Sequence, residues 1–478
     1  MMLRTASEIR AAVVSGEVSA REVVTGTLER IHALDEWLSS FITVADDYAM
    51  WQVENLERRS AAGEEPGPLW GVPFSVKDIY DTAVVPTTYG SRIFRDHVPH
   101  RDAELVARIR AAGGILVGKT NTPEFAIYIR TVNDLQAETV NPWDTRRTTG
   151  GSSGGAAASV AAGLTPIAVG SDGGGSVRIP SALCGVVGLM PSRGSIPRTG
   201  GHIGTRRFSA AGPMALDAGD ALTLWHVMQG PSRYDGLTRG LLPTGVSAPA
   251  AFDEPPRLRW VGDSGVSGAE PDVIETVHAA AEALAENLGT RLGPATMGMN
   301  SPRFSDAFYA MMQADRLSTG GRALIEDPTT RGLLTSYARH HFEQATKIDG
   351  ATYSSAVEMQ LEATEHLVGL LDGVDVLVTP TLGFVAPEIP EGHESLPEVA
   401  RRGFVAFTFL MNYTGFPAAT VPCGLVSGLP VGMQLVGRPG SEPMLLALCR
   451  QFQDSVFRIP DVPGFAPITT SPRSSLDL

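Results

Sequence analysis

The order of apolar and polar positions divides the chain into helical and extended segments. Val24, Leu28 and Ile31 recur at helical spacing and predict one buried face. The run Val18-Ser19-Ala20-Arg21-Glu22-Val23 opens that helix. Ser19 and Glu22 stand three apart, as a capping box requires, and Val18 with Val23 flank them as a hydrophobic staple. From Gly71 to Asp78 the period changes. Val72, Phe74 and Val76 alternate with Ser75 and Lys77, which predicts a short strand. Ala103 to Ala112 reads as a helix stopped by Gly113-Gly114, and Ile115-Leu116-Val117 is an apolar run of strand length. An alanine-rich helix follows at 156–162 and a strand at Ile167-Ala168-Val169. Leu258 to Val261, Val374 to Val378 and Pro430 to Val436 read as strands, and Val273 to Leu288 and Ser354 to Leu371 as helices. Strand and helix in alternation imply an α/β layer architecture.

Two glycine-rich turns interrupt this pattern: Gly150-Gly151-Ser152-Ser153-Gly154-Gly155 and Gly170-Ser171-Asp172-Gly173-Gly174-Gly175-Ser176. A third stretch, 230–250, is rich in Gly, Pro and Ser and reads as a connector. Glycine reaches 52 of 478 residues, above the usual share of about 7%.

Composition then removes whole classes of function. With 38 Lys and Arg against 52 Asp and Glu, the formal charge is −14, which speaks against a nucleic-acid-binding surface. A hydrophobic share of 43% with 19% charged residues fits a globular protein. No uninterrupted apolar run is long enough to span a membrane. Met1 to Arg10 shows no apolar core followed by a cleavage site, so no secretory signal is expected. Cys184, Cys423 and Cys449 are odd in number and far apart, which predicts buried free thiols in a reducing cytoplasm. The ten histidines show no metal-ligand spacing, and neither metal nor cofactor is inferred.

The chemistry gathers at the two glycine turns. They present Ser152 and Ser176, and Lys77 ends an upstream strand. Consecutive glycines let backbone N–H groups converge on an anionic oxygen. The run from Asp172 to Ser176 would set such donors beside a hydroxyl, the pairing that acyl transfer needs.

Several longer motifs surround these residues: Gly71-Val72-Pro73-Phe74-Ser75-Val76-Lys77-Asp78, Gly118-Lys119-Thr120-Asn121-Thr122-Pro123-Glu124-Phe125, Asn141-Pro142-Trp143-Asp144, and 172–180 (DGGGSVRIP). Cys184-Gly185-Val186-Val187-Gly188-Leu189, Gly212-Pro213, Thr379-Pro380-Thr381, Asn412-Tyr413-Thr414-Gly415-Phe416-Pro417 and Gly428-Leu429-Pro430-Val431-Gly432-Met433-Gln434 follow in order. In this set the chain resembles the amidase signature hydrolases over nearly its whole length, most thinly between about 235 and 370. The resemblance implies a single large domain over 1–478 with a mixed, twisted central sheet covered on both faces by helices. Within it, 71–215 would be the catalytic core and 235–370 a variable, mostly helical segment shaping the substrate pocket. It implies that Ser176 is the acylated nucleophile, Ser152 a bridging serine preceded by a cis peptide bond, and Lys77 the general base. The backbone N–H groups of Gly173, Gly174, Gly175 and Ser176 match the oxyanion hole. Ser153, Asp172 and Arg178 look like supporting residues, the last two as an ion pair.

The sequence also departs from the family. Gly173 stands where a side chain is usual, Met190 where a lysine is usual, and Val132 to Val140 lacks the usual glycine-bearing pattern. Two shorter patterns compete with the reading. Gly113 to Thr120 fits the P-loop spacing, but its middle is an apolar run and Pro123 follows where a helix should continue. Gly151 to Gly155 fits the G-x-S-x-G elbow, which would make Ser153 the nucleophile, but no histidine–acid pair is placed to serve it, and no strand is read before it.

The expected activity is hydrolysis of a C–N acyl bond in small neutral or aromatic amides and anilides, with esters and carbamates (urethanes) passing through the same tetrahedral oxyanion. The expected partner is a small-molecule substrate, with neither nucleic acid nor membrane, and a homodimer is allowed. The alternative is the amidase component of a glutamine-dependent tRNA amidotransferase complex. Against it, Thr329 to Tyr337 (TTRGLLTSY) lacks the basic, glutamine-specific signature of those components. Specificity is expected in the segments 120–140, 200–210 and 300–345.

Overall fold

The computed structural model describes residues 4–464, apart from 202–203, 205–206, 239–253, 267 and 391–397. The helix Ala20–Leu38 begins where its capping box predicts. The Ser19 hydroxyl accepts from the Glu22 N–H, and the Glu22 carboxylate accepts from the Ser19 N–H.

Thirteen strands form among the described residues. In chain order they are β1 (Phe41–Val44), β2 (Pro73–Lys77), β3 (Ile115–Thr120), β4 (Val140–Asn141), β5 (Asp144–Thr148), β6 (Ile167–Asp172), β7 (Val187–Met190), β8 (Ala210–Ala215), β9 (Leu258–Trp260), β10 (Leu292–Pro294), β11 (Val376–Pro380), β12 (Ala418–Val426) and β13 (Leu429–Val436). β4 and β5 pair alone. The other eleven make one sheet in the order β1-β3-β2-β6-β8-β7-β12-β13-β11-β9-β10. β3, β2 and β6 run parallel, as do β11, β9 and β10, while antiparallel pairs join the middle.

Both faces of this sheet are covered, and the strands show it residue by residue. Val376 and Val378 belong to one apolar core and Leu377 to another; Ala419 and Val421 divide from Ala418 in the same way. The first core is closed by helices Glu104–Ala111, Ala218–Met228, Pro271–Asn287 and Glu442–Ser455. The opposite face carries Gly154–Ala161, Arg178–Cys184, Pro302–Arg316 and Gly350–Leu370. The protein is therefore a single α/β domain with a large mixed sheet flanked by helices, the architecture expected from sequence.

Some strands carry no sequence signal. β8 reads Ala-Ala-Gly-Pro-Met-Ala, without a β-branched or aromatic residue, yet it pairs with β6 and β7 in mid-sheet. Packing from both sides, not propensity, selects its small side chains. β12 contains Pro422, which argues against a central strand. The register against β13 shifts between Pro422 and Gly424, where a bulge accommodates it. The segment from 258 to 370 is mostly helical but also lends β9 and β10 to the sheet edge. Much of the 230–250 connector lies outside the described residues.

The topology fixes the place of the chemistry. β2 and β6 are parallel neighbours, so their C-terminal ends open on the same edge. Lys77 ends β2 and Asp172 ends β6. Between them sits the helix Gly154–Ala161, whose start is pressed against backbone. A Cβ on Gly155 would come within 2.5 Å of the Ser40 carbonyl oxygen and 2.6 Å of the Asn121 nitrogen. Gly155→Ala is expected to destabilise the fold by about 1–3 kcal/mol through overpacking, read from the denaturant midpoint.

Candidate active site

Lys77 is wholly buried, and three hydroxyls surround its amine: Ser152 Oγ at 2.6 Å, Ser171 Oγ at 2.9 Å and Ser153 Oγ at 3.0 Å. Among the described residues no carboxylate lies within ion-pair distance of it. Lys119 is the informative contrast. It is equally buried, but its amine meets Asp78 at 3.1 Å, with the Tyr80 carbonyl and Thr87 hydroxyl completing its shell. Burial therefore drives the Lys77 pKa well below its ordinary value. Asp172 pulls it upward, while the cationic Arg316 and Arg198 push it down again. Each hydroxyl can accept an N–H from this amine, and one that is not donating elsewhere can instead give its proton to the lone pair of the neutral form. Ser153 donates its proton to the Ser171 carbonyl at 3.1 Å and accepts the Ser171 N–H at 3.1 Å. Toward Lys77 it can therefore only accept, so one lysine N–H points there.

The two serine turns are tied together. The Ser153 N–H donates to the Ser176 carbonyl at 3.1 Å, and the Gly151–Ser152 peptide bond is cis. Ser176 is partly exposed, where Ser152 and Ser153 are buried. Its turn hangs on Asp172. That carboxylate accepts from the N–H groups of Gly175 at 2.6 Å and Val177 at 3.2 Å, and pairs with Arg178 through Nε at 2.9 Å and Nη2 at 3.0 Å. Burial alone would raise the Asp172 pKa; the Arg178 guanidinium and the hydrogen bonds from Asn412 and Gly175 outweigh it and hold it low.

This bonding corrects one expectation. The Gly175 N–H is committed to Asp172, so it is not free to bind an oxyanion. Glycine is required at 175 for another reason, a φ of +127° that L side chains rarely adopt. The N–H groups of Gly173, Gly174 and Ser176 have no partner among the described residues, and these three residues line the cleft. A Cβ on Gly173 would make only ordinary contact with Ser209, at 3.5 Å. The missing side chain there widens the cleft without being needed for the backbone.

Distant motifs converge on the same ion pair. Arg178 donates to Gln434 Oε1 at 2.8 Å and Asn412 Oδ1 at 2.6 Å, and Asn412 Nδ2 donates to the Asp172 carbonyl at 2.9 Å. Gln434 in turn donates to Thr379 Oγ1 at 2.9 Å. Met190 offers its sulfur to Arg178 Nη2 at 3.2 Å. Arg178→Met would strand a buried carboxylate. The expected loss is about 3–5 kcal/mol of stability, visible in chemical denaturation.

A cavity of about 80 Å³ opens beside Ser152, Ser171 and Ser176. Its walls come from all three segments expected to set specificity: Ala126 to Ile129, Ser209, and Phe308, Tyr309, Met312 and Arg316. Sequence reasoning missed Ser171 and Arg316. Ser171 was legible in principle, as a hydroxyl at the end of a strand next to one ending in lysine. Arg316 was legible as a cation on the same helical stripe as Phe308 and Met312.

The competing patterns resolve structurally. Gly113 to Thr120 enters the sheet as β3, and its lysine is paired with Asp78. A strand, β5, does precede the G-x-S-x-G run, contrary to expectation, but it belongs to the separate two-stranded ribbon. Ser153 is locked between Lys77 and Ser171. No described helix is long and apolar enough to cross a membrane.

The Amidase family profile matches residues 22–446, and the chain belongs to that family. An acylamidase of Rhodococcus erythropolis is 34% identical over 460 residues, covering 94% of each chain. A glutamyl-tRNA(Gln) amidotransferase component of Symbiobacterium thermophilum is 32% identical over 486 residues, covering 94% of this chain and 96% of the relative. The solved structure of a bacterial aryl acylamidase of the amidase signature enzymes superposes with a TM-score of 0.84 at 27% identity, over 95% of this chain and 96% of that one.

Proposed function

We propose that the protein hydrolyses C–N acyl bonds of small neutral or aromatic amides and anilides through an acyl-enzyme on Ser176, with esters and carbamates as further substrates. The observation that carries this reading is the carboxylate-free burial of Lys77 with its amine 2.6 Å from Ser152 Oγ. With one N–H held by Ser153 and a second donated to Ser171, the lone pair of the neutral amine faces Ser152. Ser176 attacks the substrate carbonyl carbon and passes its proton to Ser152, which passes its own to Lys77. The N–H groups of Gly173, Gly174 and Ser176 receive the oxyanion. The C–N bond breaks as the amine takes the proton back from Lys77 through Ser152. Water then attacks the Ser176 ester and gives its proton to Lys77 through Ser152; the ester C–O bond breaks as Ser176 Oγ takes that proton back by the same route, and the acid leaves. The apolar wall of Ile127, Ile129, Phe308, Tyr309, Met312 and Val405 supports an apolar or aromatic substrate body.

The test is a panel of chromogenic anilides, esters and carbamates read by kcat/KM, with a serine-reactive phosphonate as site label. Turnover of anilides with label on Ser176 is expected; label on another serine would discard the mechanism.

A second reading is the amidase component of a glutamine-dependent tRNA amidotransferase, supported by the Symbiobacterium thermophilum relative. The isolated chain separates the two. Cleavage of simple amides without glutaminase activity favours the stand-alone enzyme, and glutaminase activity without it favours the amidotransferase component.

A further inference from the structure

The catalytic cleft contains a buried cation that the mechanism does not use. Arg316 lies at the end of the helix Pro302–Arg316, one helical stripe with Phe308 and Met312, and all three line the cavity beside Ser152 and Ser176. It is 8% exposed. A guanidinium carries five N–H donors, and among the described residues this one makes a single hydrogen bond, 3.3 Å from Nη2 to the Ala126 carbonyl, while its buried Nε has no partner. Among the described residues no carboxylate lies within ion-pair distance of it. Asp315, its neighbour in sequence, is engaged elsewhere, facing the Tyr353 hydroxyl at 2.9 Å and Arg207 at 3.8 Å.

An unpaired buried cation is costly, and a fold that keeps one beside a reaction centre leaves room for an anion to arrive. The net charge of −14 acts at long range, where salt screens it beyond about 8–10 Å. Inside the cleft the nearest charge decides.

The geometry points to Arg316 as the specificity-determining residue: it pairs with a carboxylate carried by the substrate, so that among apolar amides one bearing a carboxylate within its reach is preferred over the neutral isostere. A fork of parallel N–H donors suits a carboxylate in a bidentate pair. This rests on the Ser176 acyl-enzyme reading and adds a substrate class to it.

Two matched sets test it: butyryl-4-nitroanilide against the monoanilides of succinic and glutaric acid with 4-nitroaniline, and acetanilide against 4-acetamidobenzoate. The first set places the carboxylate on the acyl side, the second on the leaving group. Wild-type kcat/KM is expected to favour a carboxylated member of at least one set. In Arg316→Met that anionic-to-neutral ratio should fall about 100-fold, chiefly through KM, and Arg316→Lys should restore part of it. Phosphonate labelling of Ser176 in each variant confirms an assembled site. If wild type favours no carboxylated member, or Arg316→Met slows both members of a pair alike, the proposal is overturned while Ser176 labelling preserves the acyl-enzyme reading. If Ser176 is not labelled in wild type, the reading beneath it falls first. An identical shift of the pH profile for both members, with the ratio unchanged, would leave Arg316 only its electrostatic effect on Lys77 and also overturn the proposal.

Discussion

Ser176→Ala is expected to lower kcat by at least about 10⁴-fold, to the level that binding and oriented N–H donors sustain without a nucleophile. The argument is positional. Ser152 and Ser153 are buried, and Ser153 is held at both its donor and acceptor sides, so neither offers a substitute oxygen to a substrate. Ser176 is the partly exposed member of the group and stands beside unpaired N–H donors. The backbone should survive the change, because its turn is held by Asp172 and by Thr408, whose hydroxyl donates to the Gly174 carbonyl at 2.7 Å. Unfolding midpoints of wild type and variant should therefore agree, while label incorporation and hydrolysis both vanish. Residual turnover with the label still bound would move the nucleophile elsewhere.

Lys77→Ala should cost about 10³–10⁴-fold in kcat/KM, since among the described residues no other group hydrogen-bonded to the Ser152 hydroxyl can accept its proton. The wild-type pH profile carries the complementary signature. Only the uncharged amine is a base, so the rate should rise with pH through the Lys77 ionisation and then level off. Burial lowers that ionisation, with Arg316 and Arg198 assisting, so the plateau should begin well below pH 10.5. The variant should lose this rising limb. The same shift bears on the fold. An unfolded chain protonates this lysine where the folded chain does not, so its contribution to stability falls as pH drops below the ordinary lysine range. A profile that declines with rising pH across that limb would exclude Lys77 as base.

Much of the site was legible because its residues lie close in sequence to strong local signals. Lys77 ends an alternating strand, and Ser152 and Ser176 sit in glycine runs that no ordinary turn would need. What stayed hidden depends on side-chain contacts between elements remote in sequence. The partners of Arg178 at Asn412 and Gln434 lie 234 and 256 positions away, and no period in the sequence announces them. The Gly175 N–H looked like an oxyanion donor because glycine runs suggest open backbone. Only the position of Asp172 shows where that hydrogen points. β8 was invisible for the opposite reason: a strand of alanine, glycine, proline and methionine is chosen by the helices on both sides of it. The cationic end of the Phe308 stripe passed unnoticed because an arginine after an amphipathic helix is an ordinary solvated residue until burial shows otherwise.

The link from Asp172 through Arg178 to Asn412 and Gln434 has an evolutionary corollary. The turn that carries Ser176 is braced from the far end of the chain, whereas the cleft walls at 126–129 and 308–316 hang from other elements. Mutations can therefore reshape the walls without loosening the brace. Such a division lets one scaffold diverge toward unlike molecules while its reaction centre stays constant, and it makes the wall residues the natural targets for directed evolution.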